Sequence, residues 1–216
     1  MKMRLPILIG LSLFLASGTL AYASDEGPSG NVIVTISSPM MGSGPDRQYD
    51  SFELKFCRQD GSDAETVHIW PYAWLSRDKD DFVGPDEAGM VIVRPLAPGD
   101  WGVCSYFVSS VLGMDFTPSG SQFDQLVSPK NFFIPFNISA GRATYIGDFL
   151  AVPTTVKNLF GMGVQGGPRW IVTDKSTRDV PVAQQKNPNL GPVDVSVFDV
   201  DRLADPAFAT HDDTLK

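Results

Sequence analysis

The chain predicts an all-β fold, a single β-sandwich with one short helix near its C-terminal end. Three observations predict it. Residues Phe132 to Phe149 hold two alternating apolar runs around a turn at Ser139, Ala140 and Gly141. Short alternating runs recur along the chain, separated by Gly, Pro and Asp clusters, the pattern of a sandwich or barrel. Helix start and stop signals occur together only near Asp179 to Pro188.

The strands expected in order are Val32–Ser37, Phe52–Cys57, Thr66–Trp70, Met90–Arg94, Trp101–Ser109, Phe132–Ile138, Arg142–Ala151 and Trp170–Thr173. Period-two alternation places Phe132, Ile134, Phe136 and Ile138 on one face, and Ala143, Tyr145, Gly147 and Phe149 on one face of the next run. Read locally, the two runs form a β-hairpin with Phe136 and Tyr145 inward and Thr144 outward. Gly141 supplies the positive φ such a turn often needs. Pro98-Gly99 marks the turn into the Trp101 strand. The helix is expected over Val180–Asn187, with Asp179 as its N-cap, Pro181 in its first turn and Pro188 ending it. Ser110 to Lys130 reads as a long loop, a kind of segment that is often functional or mobile.

The first residues carry an export pattern. Lys2 and Arg4 precede an uncharged apolar run from Leu5 to Leu20, and Ala21-Tyr22-Ala23 presents small residues for cleavage before Ser24. The domain plan is therefore a signal peptide over 1–23, a sandwich over 24–200 and a polar tail over 201–216. The run is short for a membrane span and contains Pro6, Gly10 and Gly18, so a periplasmic or extracellular chain without membrane insertion after processing is expected. Losing Lys2 and Arg4 takes the net charge from −8 to −10. With no basic stripe, nucleic acid is not an expected partner.

Cys57 and Cys104 are the two cysteines, an even pair that suggests one disulfide in an oxidising compartment. With Trp70 they mimic the Cys…Trp…Cys order of immunoglobulin domains. Parity argues against a bridge across the core. Cys57 alternates with Phe52, Leu54 and Phe56, and Cys104 with Trp101, Val103 and Phe107. The expected bridge joins neighbouring strands on an outer face beside Lys55 and Tyr106, or is displaced by a bulge.

Chemistry-bearing motifs are few. Gly161-Met-Gly163-Val-Gln-Gly166 matches a dinucleotide fingerprint, but Gly167-Pro168 follows where a helix should begin, so a flexible turn is expected. His68 and His211 are the two histidines, too few for a His-based zinc site, and no G-x-S-x-G accompanies them. His211, before Asp212 and Asp213, offers at most adventitious metal binding. Asp78, Asp80, Asp81, Asp86 and Glu87 form an acidic stretch without the ordered spacing of a calcium loop, and a solvated acidic face is expected. No cofactor, metal or catalytic residue is expected. The sharpest lead is His68-Ile-Trp70-Pro-Tyr72-Ala-Trp74, where His68, Trp70, Tyr72 and Trp74 alternate onto one face. Such rings either close the end of the sandwich or form a platform for sugar rings or a partner.

The segments Val93-Arg94-Pro95-Leu96-Ala97-Pro98-Gly99-Asp100-Trp101, Phe136 to Gly141, Thr144-Tyr145-Ile146-Gly147 and Val172-Thr173-Asp174 with Arg178-Asp179 and Asn187-Pro188 resemble uncharacterised bacterial envelope proteins. The resemblance covers roughly residues 89–190. It implies a transthyretin-like or immunoglobulin-like sandwich and no activity. The expectation is thus a non-enzymatic exported sandwich that binds or supports an envelope component, protein or glycan. The alternatives are a glycan-binding module using the Trp70 face and a hydrolase with an Asp/Glu mechanism.

Overall fold

The computed structural model describes residues 29–40, 49–69, 80–110, 115–117, 120–121, 133–157, 159–199 and 209–210. Within them lie β1 (Gly30–Pro39), β2 (Tyr49–Arg58), β3 (Ala64–Ile69), β4 (Phe82–Val83), β5 (Glu87–Leu96), β6 (Gly99–Ser110), β7 (Asp115–Thr117) and β8 (Gly120–Ser121). They continue with β9 (Ile134–Ile138), β10 (Ala143–Val152), β11 (Thr155–Lys157), β12 (Gly163–Gln165), β13 (Arg169–Thr173), helix α1 (Ser176–Lys186), β14 (Val193–Val195) and β15 (Ala209–Thr210). The fold is an all-β sandwich with one short helix. Each expected strand is present, with Trp70 and Phe132 lying outside the described residues and the Phe132–Ile138 strand starting at Ile134. Two residues of the expected polar tail pair as β15 with Trp170 and Ile171. β7 and β8 lie inside the stretch expected to be loop.

One sheet runs β15-β13-β10-β1-β5-β4, with β14 also on β10; the other runs β3-β2-β6-β7-β8, with β9 also on β6. The expected hairpin is therefore corrected. β9 pairs with β6 in the second sheet, while β10 pairs with β1 in parallel and with β13 in the first. The Ser139–Arg142 turn is an arch that carries the chain between sheets. Gly141, at φ 69°, takes the left-handed conformation there.

Between the sheets Val32, Val34, Ile36, Phe52, Leu54, Phe56, Trp101, Val103, Ile134, Phe136, Phe149 and Trp170 form the main core. Trp170 meets Phe52, Tyr106 and Phe149 edge-on at one end, and Phe56 meets Phe136 at the other. A second, smaller core covers the other face of the first sheet. There Ile33, Val91, Ala143 and Tyr145 pack against Ala183 of α1, with Val180 and Val182 beside them. This third layer explains why Ala143 to Ala151 is buried without interruption, as strands covered on both faces are.

Two one-residue insertions overturn the parity reading. In β6 the pairing passes from Lys55↔Ser105 to Phe56↔Val103, leaving Cys104 as an extra residue. Beyond this bulge the faces exchange. Tyr106 and Val108 are buried in place of Phe107, so Tyr106 does not lie on the outer face. In β10 the pairing jumps from Ile33↔Tyr145 to Thr35↔Asp148, and Gly147 sits in the jump at φ 120°. Tyr145 therefore belongs to the helix-side core rather than joining Phe136. Thr144, expected at the surface, is buried and donates from Oγ1 to the Asn137 carbonyl at 2.8 Å.

The helix begins four residues before its expected start. Lys175 holds the N-cap position, Ser176 N–H donates to Asp174 Oδ1 at 2.8 Å, and Asp179 is fully buried within the helix instead of capping it. Pro181 lies inside α1, where its ring offers no N–H to the Thr177 carbonyl. Asn187 ends the helix just before Pro188.

Candidate functional site

The sandwich has two unlike ends. At one, connections are tight: Gln59–Asp63 joins β2 to β3, Ala97 and Pro98 join β5 to β6, and Ser139–Arg142 makes the arch. At the other stand Pro39 and Tyr49, Ile69, Ser110, and the pair Val152 and Arg169. The register places them together: Pro39 faces Glu87, Tyr49 faces Ser110, Phe52 faces Ile69, and Val152 faces Arg169. Long connections at one end of a rigid sandwich are where such folds carry binding residues.

Between Val152 and Arg169 the chain forms a separate two-stranded ribbon of β11 and β12, with three pairs from Thr155↔Gln165 to Lys157↔Gly163. Its root is fastened by Thr154 Oγ1 donating to the Gly167 carbonyl at 2.7 Å and Gly166 N–H donating to the Thr154 carbonyl at 2.8 Å. At its tip Leu159 is 101% exposed, Phe160 86% and Met162 58%. The Gly161-to-Gly166 motif thus lies in this turn and second strand, with Gly161 at φ 74°, as a turn reading expects.

Beside the same end, α1 is clasped to the first sheet by a buried polar cluster. Asp179 accepts from Thr35 Oγ1 and Tyr145 Oη at 2.7 Å each and from Arg178 Nε at 2.6 Å. Asp148 accepts from Ser37 Oγ at 2.6 Å and Arg178 Nη2 at 2.8 Å. Arg178 also pairs with Glu87 through Nη1 and lies over the Phe82 ring at 3.6 Å. Burial pushes the Asp148 carboxyl up to about 6, against the hydrogen bonds from Ser37 and Arg178 that favour its charged form. Burial also raises the Tyr145 phenol, and the neighbouring Asp179 and Asp148 add to that rise. Desolvation pulls the Arg178 guanidinium down, but its bonds to Asp179 and Asp148 outweigh this and hold it above its ordinary value. A pocket of about 290 Å³ adjoins the clasp, lined by Phe82 to Glu87 with Lys175 and Arg178. Asp148 does not line it and is fully buried.

Cys57 and Cys104 are joined, with Cα atoms 5.8 Å apart. They bridge neighbouring strands on the outer face beside exposed Lys55, and the bulge at Cys104 shifts the bridge along the pair. His68 lies in β3 opposite Glu53, on the strand positions that alternate with Phe52 and Leu54. Trp70, Tyr72, Trp74 and His211 lie outside the described residues, as do Asp78 and the cleavage site at Ala23. Of the acidic stretch, Asp81 accepts from Lys186 Nζ at 2.5 Å and from Val91 N–H at 2.6 Å. Glu87 is held by Arg178, so both serve the clasp. Among the described residues no three His, Cys, Asp or Glu side chains are placed to share a metal ion, and no helix is long and apolar enough to cross a membrane. Sequence reasoning missed the Thr35, Ser37 and Asp148 partners. The only signal was polar residues inside otherwise apolar strands.

No protein-family model matches the chain, and no curated protein is similar to it. Among solved structures, a leucine-rich repeat protein from Bacteroides thetaiotaomicron aligns at 10% identity and TM-score 0.34, over 57% of this chain and 14% of its own. A candidate cell adhesion protein from Parabacteroides distasonis aligns at 6% identity and TM-score 0.31, over 66% of this chain and 38% of its own. The chain spans well under two thirds of either protein, and likenesses this weak leave the fold to be described by its own topology.

Proposed function

We propose that the chain is an exported, non-catalytic β-sandwich that binds another component of the cell envelope through its loop-bearing end. The observation that carries this reading is the asymmetry between the ends, with tight turns at one and the long connections and apolar ribbon tip at the other. The disulfide favours an oxidising compartment, in keeping with the export pattern of the first 23 residues. The transthyretin-like kinship belongs to the same proposal. Its motifs fall on the arch, on the entry to β6 and on α1, all of which build structure. The reading as a non-enzyme is supported by the clasp, whose described carboxylates are committed to Arg178, Ser37, Thr35, Tyr145 and Lys186.

A photo-cross-linking amino acid placed singly at Leu159 or Val83, at the loop-bearing end, and at Asp60 or Val195, toward the tight-turn end, tests the proposal in intact cells. Adducts from the first pair and not the second are expected. Adducts only from the second pair, or a chain retained inside the cell with both thiols free, would overturn it.

A further inference from the structure

We propose that the pocket beside the clasp binds a small zwitterion, an α-amino acid with an aliphatic side chain, with Lys175 meeting its carboxylate and Asp86 its ammonium. This goes beyond the reading above, because it assigns the chain a small-molecule ligand and is tested without any envelope partner.

The pocket, of about 290 Å³, has two walls of different origin. One is the turn from β4 into β5, closed by Gly84 N–H donating to the Glu87 carbonyl at 2.8 Å. The other is the entry to α1, with Lys175 at the N-cap position and Arg178 in the first turn. Arg178 joins the walls, since its guanidinium lies over the Phe82 ring at 3.6 Å and pairs with Glu87. The turn wall is fastened again by Met40 N–H donating to the Asp86 carbonyl at 2.7 Å and Asp81 N–H donating to the Gly89 carbonyl at 2.9 Å. The cavity is therefore held in shape by bonds that a ligand need not make. Small-ligand sites are usually pre-formed in this way, and this one stands at the small end of their range of about 300–1,000 Å³.

Charge selects the ligand. Four charged side chains line the pocket: Asp86, Glu87, Lys175 and Arg178. Glu87 and Arg178 are committed to each other, and Arg178 also to Asp148 and Asp179. Among the described residues, the Asp86 carboxylate and the Lys175 ammonium have no ion-pair or hydrogen-bond partner, and one belongs to each wall. A lone anion would meet Lys175 but also Asp86 and Glu87, with the buried Asp148 and Asp179 behind Arg178. A lone cation would meet Asp86 but also Lys175 and Arg178. A ligand carrying both charges gains from each free group and leaves the lining neutral. It also supplies the partners that charges need when a ligand excludes water from around them. The remaining lining is apolar: Phe82, Val83 and Pro85, with Val83 50% exposed. Such a wall covers an aliphatic side chain, while Arg178 already occupies a face of the Phe82 ring on which an aromatic ligand could stack.

The test titrates the oxidised full chain with L-leucine at millimolar concentration, read by calorimetry and by amide shifts in proton–nitrogen spectra. Saturable binding is expected, with the shifts centred on Gly84, Asp86 and Lys175. Leucinamide lacks the carboxylate, N-acetyl-leucine lacks the ammonium and glycine lacks the apolar side chain, so each should bind at least tenfold more weakly. Lys175→Gln and Asp86→Asn should each weaken L-leucine at least tenfold, as expected when a bound charge loses its partner. Both variants should keep the melting temperature, because neither side chain has a partner to lose. Lys55→Gln, at an exposed position of the other sheet, should leave binding unchanged. No binding of L-leucine, equal binding of either blocked analogue, shifts centred elsewhere, or unaltered affinity in Lys175→Gln and Asp86→Asn overturns the site. Each of those results leaves binding through the loop-bearing end to the cross-linking outcome at Leu159.

Discussion

Asp148 should make this acidic protein more stable as the solution is acidified from neutrality. Its carboxyl is fully buried, and burial lifts it from 3.8 to about 6, with the nearby Glu87 charge adding to the rise. Ser37 and Arg178 pull the other way without cancelling it. The ionisable groups facing it are Arg178 and Asp179 from α1, Glu87 from β5 and Tyr145 from its own strand. A group that binds its proton more tightly in the fold stabilises the fold fully below its unfolded pKa. That contribution is lost as pH rises through the folded value. The interval from 3.8 to about 6 corresponds to about 3 kcal/mol. Carboxylates of opposite sign act lower. Asp194, held below 3.8 by its hydrogen bond from Arg142, and Asp60, held down by Ser62, lose their contributions only as pH falls through those depressed values. Urea midpoints at constant ionic strength should therefore rise as pH is lowered from about 7 to about 4.5 and fall below about 4. In Asp148→Asn the limb between about 7 and 4.5 should flatten. A midpoint that falls steadily on acidification from neutrality, or a variant with the slope intact, would refute the assignment.

Asp179→Ala removes a fully buried carboxylate from Arg178 and strands the Thr35 and Tyr145 hydroxyls. It should cost about 3–5 kcal/mol in urea melts, and a cycle with Tyr145→Phe should show coupling. Thiol titration of the unreduced, denatured chain should find no free cysteine among Cys57 and Cys104, and replacing both by Ser should lower stability by about 2–4 kcal/mol. Phe136→Ala should cost about 3–5 kcal/mol as a core aromatic. Thr144→Ala should cost about 1 kcal/mol through the lost bond to Asn137, more than a surface change. Phe107→Ala should cost less than Tyr106→Ala, because the bulge at Cys104 turns Tyr106 inward.

Strand positions were readable because burial on one face leaves a period of two. Ile134–Ile138 shows it cleanly, its buried residues alternating with Pro135 and Asn137. Pairing was not readable. The arch at Ser139–Arg142 and a hairpin turn ask for the same residues, and only the partner strands, β6 for one arm and β1 for the other, distinguish them. The faces of β6 and β10 failed for one physical reason. A single inserted residue reverses parity for everything beyond it, and neither Cys104 nor Gly147 announces itself as an insertion in a run of mostly small or apolar residues. The disulfide survived that failure because Cys104 is itself the inserted residue, so the parity before it still held.

The ribbon at the proposed binding end was hidden for a different reason. Aromatic alternation from His68 to Trp74 is conspicuous in the sequence, whereas Leu159, Phe160 and Met162 look like an ordinary short apolar run. Their meaning depends on where the chain turns. Thr154 and Gly167 close the root, Gly161 adopts a positive φ at the tip, and among the described residues β11 and β12 pair with each other. Burial is a property of the whole assembly, and an apolar run that would be core in β10 is exposed at the turn of a separate two-stranded ribbon. The clasp makes the complementary point. Thr35, Ser37 and Asp148 break the apolar pattern of central strands, which read alone argues for an exposed face. They are buried because α1 brings Arg178 and Asp179 across the sheet to meet them. Thr35 and Ser37 meet partners 144 and 111 positions away, and Asp148 meets Arg178 30 positions away, so chain topology rather than local pattern decides that these polar side chains are buried.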